Sequence, residues 1–129
     1  MSRKIIIGNW KMNPLTLKEA EKLFSSVAKA VSRVKKTEIV ICPPFLYLEK
    51  LAKIRTSKIK LGAQNVFSEE KGPYTGEISA PMLDDIGVKY VIIGHSKRRE
   101  FGETNKEVNQ KIKASLSAGL APILCVGEN

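Results

Sequence analysis

Five short runs of apolar, largely β-branched residues recur along this sequence, and segments with helical periodicity separate them. Runs of this length are too short for buried helices and have the composition of strands. Most of them do not alternate between apolar and polar residues, which is typical of a parallel sheet covered on both faces. The predicted strands are Lys4–Ile7, Glu38–Cys42, Lys58–Ala63, Tyr90–Ile93 and Pro122–Val126.

The segments between these runs predict helices that pack on the outside of the sheet. The first, from about Leu17 to Val34, repeats apolar residues at intervals of three and four. Further helices are predicted at Leu46–Ile54, from a cap at Ser79 through Ile86, and at Asn105–Ala118. The order is therefore βαβαβαβαβ. Because no linker or low-complexity tract interrupts it, we expect residues 1–129 to form one α/β unit.

Periodicity leaves two architectures open, an open doubly wound sheet and part of a closed barrel. Polar residues follow nearly every predicted strand, and in a barrel all strand ends meet at one rim. An open sheet would instead concentrate such residues at a single switch point. This distribution favours part of a barrel. The polar residues concerned are Asn9, Lys11, Gln64, Asn65, His95 and Glu128.

Composition narrows the possible functions. The net charge is +9, but the lysines are scattered over several predicted helices, so the sequence does not predict a nucleic-acid interface. No apolar run approaches the length of about 20 residues that a membrane span needs, and nothing at the N-terminus resembles a signal peptide. Cys42 and Cys125 end apolar runs and are expected to be buried free thiols, with a disulfide as the alternative, and free thiols suit the cytoplasm. No cluster has metal-ligand spacing.

Three polar residues near strand ends are candidates for chemistry. His95 is the only histidine, and it follows the strand Tyr90–Ile93 after one glycine. A helix start with Ser96 as its N-cap would aim backbone N–H groups at the imidazole, which favours a neutral histidine that donates or shuttles a proton. Lys11 could bind an anionic substrate, and Asn9 could orient that lysine. The alternatives are a loop histidine and a solvated lysine. Glu77 and Arg98 are candidates for an ion pair across a fold or subunit boundary, or are two solvated charges.

Six motifs, in order and spanning the whole chain, resemble the triosephosphate isomerase family. They are Gly8–Asn13, Cys42–Pro44, Leu61–Asn65, Tyr74–Ser79, Gly94–Ser96 and Pro122–Glu128. The resemblance implies a partial TIM (β/α)8 barrel of about four βα units plus a fifth strand, in which a parallel sheet carries outer helices. It also implies the interconversion of dihydroxyacetone phosphate and glyceraldehyde 3-phosphate in glycolysis and gluconeogenesis, without a cofactor or a metal.

The resemblance also implies roles for particular residues. Asn9 and Lys11 would contact the triose phosphate, Lys11 would supply positive charge, and His95 would be the neutral electrophile that shuttles a proton between the substrate oxygens. The family's homodimer would place interface residues from one subunit near the site of the other. The residues implied at this interface are Thr75, at the tip of a long loop, with Glu77 and Arg98 in support.

Two departures from the family pattern affect these expectations. The family barrel takes roughly 250 residues, and the motif that carries the catalytic glutamate is not found among these 129. Lys97 stands where the family has an acidic residue that pairs with the active-site lysine, and a like charge near Lys11 would oppose the charge on Lys11. Two hypotheses follow: an isomerase half completed by a C-terminal half, or an inactive half-barrel that associates with itself. In either case, inward side chains among the strand residues are expected to face water. The residues considered are Ile5, Ile7, Ile39, Ile41, Ile93 and Leu124.

Overall fold

The computed structural model describes residues 3–56 and 58–127 and contains one curled sheet of five parallel strands. The strands lie in chain order, each beside its predecessor, and are β1 Lys4–Asn9, β2 Thr37–Cys42, β3 Ile59–Ala63, β4 Tyr90–Ile93 and β5 Ala121–Leu124. Helices connect them: α1 Leu17–Ala30, α2 Phe45–Ala52, α3 Ala80–Asp85, α4 Ser96–Glu100 and α5 Asn105–Ser117. The half-barrel predicted from the sequence is confirmed.

The main core lies between the outer face of the sheet and the helices. Phe24 on α1 and Leu48 on α2 are fully buried there against Ile41 of β2 and Ile93 of β4. A second, smaller layer covers the inner face, where Val40, Cys42 and Ile92 are buried against one another. The sheet is therefore curled strongly enough that side chains of β2 and β4 shield each other from solvent without an opposite wall.

The edges of the sheet are where apolar side chains remain exposed. Ile5 and Ile6 on β1 are 43% and 61% exposed, and Leu124 on β5 is 47% exposed. The expectation of solvent-facing inward side chains was wrong for three of the residues considered, because they point towards the helices and belong to the main core. These residues are Ile39, Ile41 and Ile93. A sheet with unpaired apolar edges is one that calls for a partner.

Several element boundaries differ from those predicted. Strand β1 continues to Asn9, because Gly8 and Asn9 pair with Ile41 and Cys42 of β2 despite their low strand propensity. Helix α1 ends at Ala30 instead of continuing to Val34. The turn that follows is closed by hydrogen bonds from residue i to residue i−3, as in a 3₁₀ helix. Strand β5 ends at Leu124, two residues before the predicted end, and Glu128, predicted to follow this strand at the rim, lies outside the described residues. None of the helices described in residues 3–56 and 58–127 is long and apolar enough to cross a membrane.

Candidate active-site half at the carboxyl rim

The carboxyl ends of all five strands lie at one edge of the sheet, because every strand pair is parallel. Asn9 ends β1, and Lys11 follows two residues later. His95 follows β4 after Gly94. The three candidate residues therefore occupy the same rim, which is where enzymes with this architecture assemble their sites.

Lys11 is held by hydrogen bonds to its backbone. Its N–H donates to Asn9 Oδ1 at 2.9 Å, so one role of Asn9 is to shape the turn after β1. The amide of Gln64, which follows β3, donates to the Lys11 carbonyl at 2.8 Å and to the Cys42 carbonyl at 2.9 Å. Lys11 itself adopts φ 57°, a left-handed conformation that non-glycine residues adopt rarely and mainly where the surrounding structure holds them. The lysine side chain is exposed, above this fixed backbone.

His95 is the N-cap of α4, and Ser96 is the first residue of that helix, so the prediction of Ser96 as N-cap was wrong. The imidazole Nδ1 accepts a hydrogen bond from Lys97 N–H at 3.2 Å, which takes the place of the expected serine hydroxyl. Because Nδ1 is an acceptor, a neutral imidazole carries its proton on Nε2. His95 can therefore donate a hydrogen bond through Nε2.

An open cavity of about 850 Å³ lies beside His95. It is lined by residues that follow β4 and β5 and by the start of α5, among them Arg99, Asn105 and Cys125. Arg99 is fixed at its edge by a hydrogen bond of 2.6 Å to Asn105 Oδ1. Lys11 and Asn9 do not line this cavity, so the structure places them on the same rim without making them walls of the same pocket.

Lys97, the residue that departs from the family pattern, turns to a neighbour on its own helix. Its Nζ lies 2.9 Å from Glu100 Oε2, and both side chains are 62% exposed. The charge of Lys97 is therefore matched locally by a solvated i,i+3 pair, which stabilises the helix weakly.

The three residues predicted at a dimer interface occupy different environments. Thr75 and Glu77 are exposed in the turn of the long loop, where Glu77 N–H donates to the Tyr74 carbonyl at 3.0 Å. Arg98 is half-buried, and its Nε lies 3.9 Å from the carboxylate of Glu103 in the same chain. In the isolated chain Arg98 is therefore directed towards Glu103.

A buried ionic cluster beneath this rim was not found by sequence reasoning. Lys111 of α5 is buried, and its ammonium donates to Glu103 and, at 2.9 Å, to Asn65 Oδ1. Asn65 begins the segment that leads to the long loop, so the cluster ties that segment to α5. The available signal was a lysine on the apolar face of a predicted helix, one turn after Val108.

The two cysteines are free, as expected. Burial raises the pKa of the Cys42 thiol to about 12, so Cys42 behaves as a small apolar side chain. Cys125 is only partly buried, contrary to the expectation of two buried thiols. Its pKa is raised by burial and, to a smaller extent, by the negative charge of Glu103. Among the described residues there is no group of three or more side chains suited to hold a metal ion.

A parallel half-barrel of five strands with helices on its outer face has the topology of part of a (β/α)8 barrel. Comparison with solved structures agrees: the chain superposes on triosephosphate isomerase from Bartonella henselae with a TM-score of 0.91 and 40% identity, covering 98% of this chain and 53% of that one. The family model for triosephosphate isomerase matches residues 4–129. The chain belongs to the triosephosphate isomerase family.

Two curated relatives show how much of that family's length is present. The triosephosphate isomerase of Dehalococcoides mccartyi strain CBDB1 is 57% identical over 130 residues, which cover 99% of this chain and 51% of the relative. That of Aquifex aeolicus is 48% identical over 128 residues, covering 98% and 51%. The chain thus spans about half the length of the curated relatives that it matches.

Proposed function

We propose that this chain is the N-terminal part of a triosephosphate isomerase, which interconverts dihydroxyacetone phosphate and glyceraldehyde 3-phosphate once a C-terminal half completes the barrel. The observation that carries the proposal is the geometry of His95, whose Nδ1 is occupied by Lys97 N–H and whose Nε2 is left as a donor. The proposal includes a cytoplasmic enzyme of glycolysis and gluconeogenesis that needs no cofactor.

In this proposal the rim residues act on the substrate oxygens. Lys11 binds the anionic triose phosphate and stabilises the negative charge that develops on the enediolate, while Asn9 holds the Lys11 backbone and contacts substrate. His95 donates through Nε2 to the substrate oxygens and moves a proton between them. Removal of the carbon-bound proton needs a base, and we assign none in this chain, so the C-terminal half supplies it.

The proposed enzyme is a homodimer, and exposed apolar residues near the rim support this. Four large apolar side chains in the segments that follow β1, β2 and β4 are at least 74% exposed: Met12, Leu15, Leu46 and Phe101. Exposed apolar surface of this kind is typical of an interface. Thr75 of one subunit would reach the partner's site, with Glu77 and Arg98 in support. The four exposed apolar side chains, from Met12 to Phe101, were not predicted as interface residues from the sequence.

A second candidate function is an inactive half-barrel that associates with itself. The exposed edge residues Ile6 and Leu124 support it, because a second copy of the chain could cover these edges.

Fusing this chain to the part of the D. mccartyi relative that it does not cover tests the proposal. The chain alone should show no turnover above a mock preparation in a coupled isomerase assay. The fusion should be active, and His95→Gln or Lys11→Met should lower its kcat/KM by about a hundredfold or more. Lys113→Met, which removes an exposed lysine on α5, is the control and should leave activity unchanged. The proposal is contradicted if the fusion folds, as judged by circular dichroism, but is inactive, or if neither rim substitution changes its activity. Either result favours the inactive half-barrel.

A further inference from the structure

A second polar cluster lies on the inner face of the sheet, at the opposite end from the rim. The Tyr90 hydroxyl, at the start of β4, donates to Glu38 Oε1 of β2 at 2.5 Å. The ammonium of Lys60, from β3, lies 2.8 Å from the same oxygen. Side chains of three consecutive strands therefore converge on one carboxylate oxygen, and Glu38 is only 13% exposed.

Gly62 makes this contact possible. Strand β3 lies between β2 and β4, so Tyr90 must cross it to reach Glu38. Tyr90 is paired with Gly62, and a Cβ built at Gly62 would lie 3.3 Å from Tyr90 Cβ and 2.5 Å from Cys42 Sγ. Because position 62 has no side chain, the inner face of β3 leaves room for the Tyr90 ring to span it.

The junction between β3 and β4 is the part of the sheet that most needs such a link. Only two residue pairs join β3 to β4, whereas six join β1 to β2 and four join β4 to β5. Among the described residues, the bond from Tyr90 to Glu38 is the one side-chain hydrogen bond between β4 and strands β1 to β3. Core packing of Ile92 and Ile93 holds β4 against the sheet, and the bond from Tyr90 adds a polar link across β3 that fits one register only.

The two halves of the rim site stand on opposite sides of this junction. Lys11 and Asn9 are tied to β1, β2 and β3 through Gln64. His95 follows β4 directly. The position of β4 along β3 therefore sets where the imidazole lies relative to Lys11.

We propose that Tyr90 and Glu38 are positioning residues, which hold β4 in place from its amino end and thereby fix His95 relative to Lys11. This inference rests on the proposed function in that the rim is taken as one site. Lys60 contributes by keeping the Glu38 carboxylate as a fixed acceptor on the inner face. Neither Tyr90 nor Glu38 touches substrate.

The test uses the single histidine of the full chain as its own reporter. With ¹⁵N-labelled histidine, Lys11→Met should move the imidazole resonances in the parent, because in the proposed site it removes a positive charge from the rim that His95 shares. In the Tyr90→Phe background, which lacks only the hydroxyl, the same substitution should move them less, and the β4 amides should exchange faster with deuterium. Glu38→Gln keeps an acceptor and should behave more like the parent than Glu38→Leu does.

Phe24→Leu is the matched control for general loss of stability, because Phe24 is buried on α1 on the other side of the sheet. In that background the effect of Lys11→Met on the imidazole should equal the effect in the parent. If Lys11→Met moves the imidazole resonances equally in the Tyr90→Phe background and in the parent, the positioning role is wrong. The cluster of Tyr90, Glu38 and Lys60 would then contribute only to stability. If Lys11→Met moves no imidazole signal in the parent, the shared rim site itself is wrong, so the two failures are distinguishable.

Discussion

Gly62 should tolerate a methyl group poorly, although it lies in the middle of a strand where alanine is normally preferred to glycine. A Cβ there would be 2.5 Å from Cys42 Sγ and 3.3 Å from both Tyr90 Cβ and Val40 Cγ1. The nearest of these contacts is with a buried side chain that cannot move into solvent. Overpacking of this kind costs about 1–3 kcal/mol.

The expected change in melting temperature follows from the size of the chain. At about 2.1 cal/mol/K per residue, 129 residues give an unfolding entropy near 270 cal/mol/K, or about 4 °C per kcal/mol. Gly62→Ala should therefore lower the midpoint of thermal unfolding, followed by circular dichroism, by about 4–11 °C. Removing the sulfur with Cys42→Ala in the same chain should recover part of this loss, as expected for residues in contact.

Gly8→Ala provides the matched control. Gly8 is also in a strand of the same sheet, but a Cβ there would meet only the Val40 carbonyl oxygen, at 3.9 Å. This substitution should leave stability unchanged or raise it by up to about 1 kcal/mol, because the unfolded chain loses entropy. Equal effects of Gly62→Ala and Gly8→Ala would refute the close packing of β2 and β4 over β3.

Further predictions concern pH, a helix cap and association. Hydrogen bonds from Lys60 and then Tyr90 lower the pKa of Glu38 below its usual 4.5. The ionised Glu38 therefore stabilises the folded state above pH 4.5, and this stabilisation is lost as the pH falls through the lower pKa of the folded state. In Glu38→Gln the urea midpoint of unfolding should depend less on pH over this range. Thr104→Ala removes the capping box of α5 and should cost about 1 kcal/mol in urea denaturation, whereas a loss within error would contradict the cap. Leu46→Asp should shift sedimentation at micromolar concentration towards monomer, and unchanged association would place the contact elsewhere.

The fold was predictable because its strands are mostly apolar and helical segments separate them along the chain. Tyr90–Ile93 was predicted with the bounds that the structure has, since Gly94 ends it abruptly. The end of β1 was not predictable from local preference, because Gly8 and Asn9 become strand only through pairing with β2. The burial of Val40, Cys42 and Ile92 on the inner face was not predicted, because it depends on which side chains meet across the curled sheet.

The candidate site was predictable as a set of positions and less so as a set of contacts. Lys11 and His95 were placed on one rim by the parallel order of the strands. That Asn9 binds the Lys11 backbone, and that His95 caps its own helix, depends on dihedral angles that periodicity does not report. The cluster of Tyr90, Glu38 and Lys60 depends on register across three strands and was likewise not found.

The orientation of His95 as a donor through Nε2 is the claim on which the proposed function depends most. The chain contains a single histidine, so long-range ¹H–¹⁵N spectra of the purified chain report that imidazole without ambiguity. Nδ1 accepts from Lys97 N–H, and the spectra should show a proton bound to Nε2 and none on Nδ1 in the neutral ring. A neutral imidazole that carries its proton on Nδ1 would contradict the geometry of α4 and the donor role of His95.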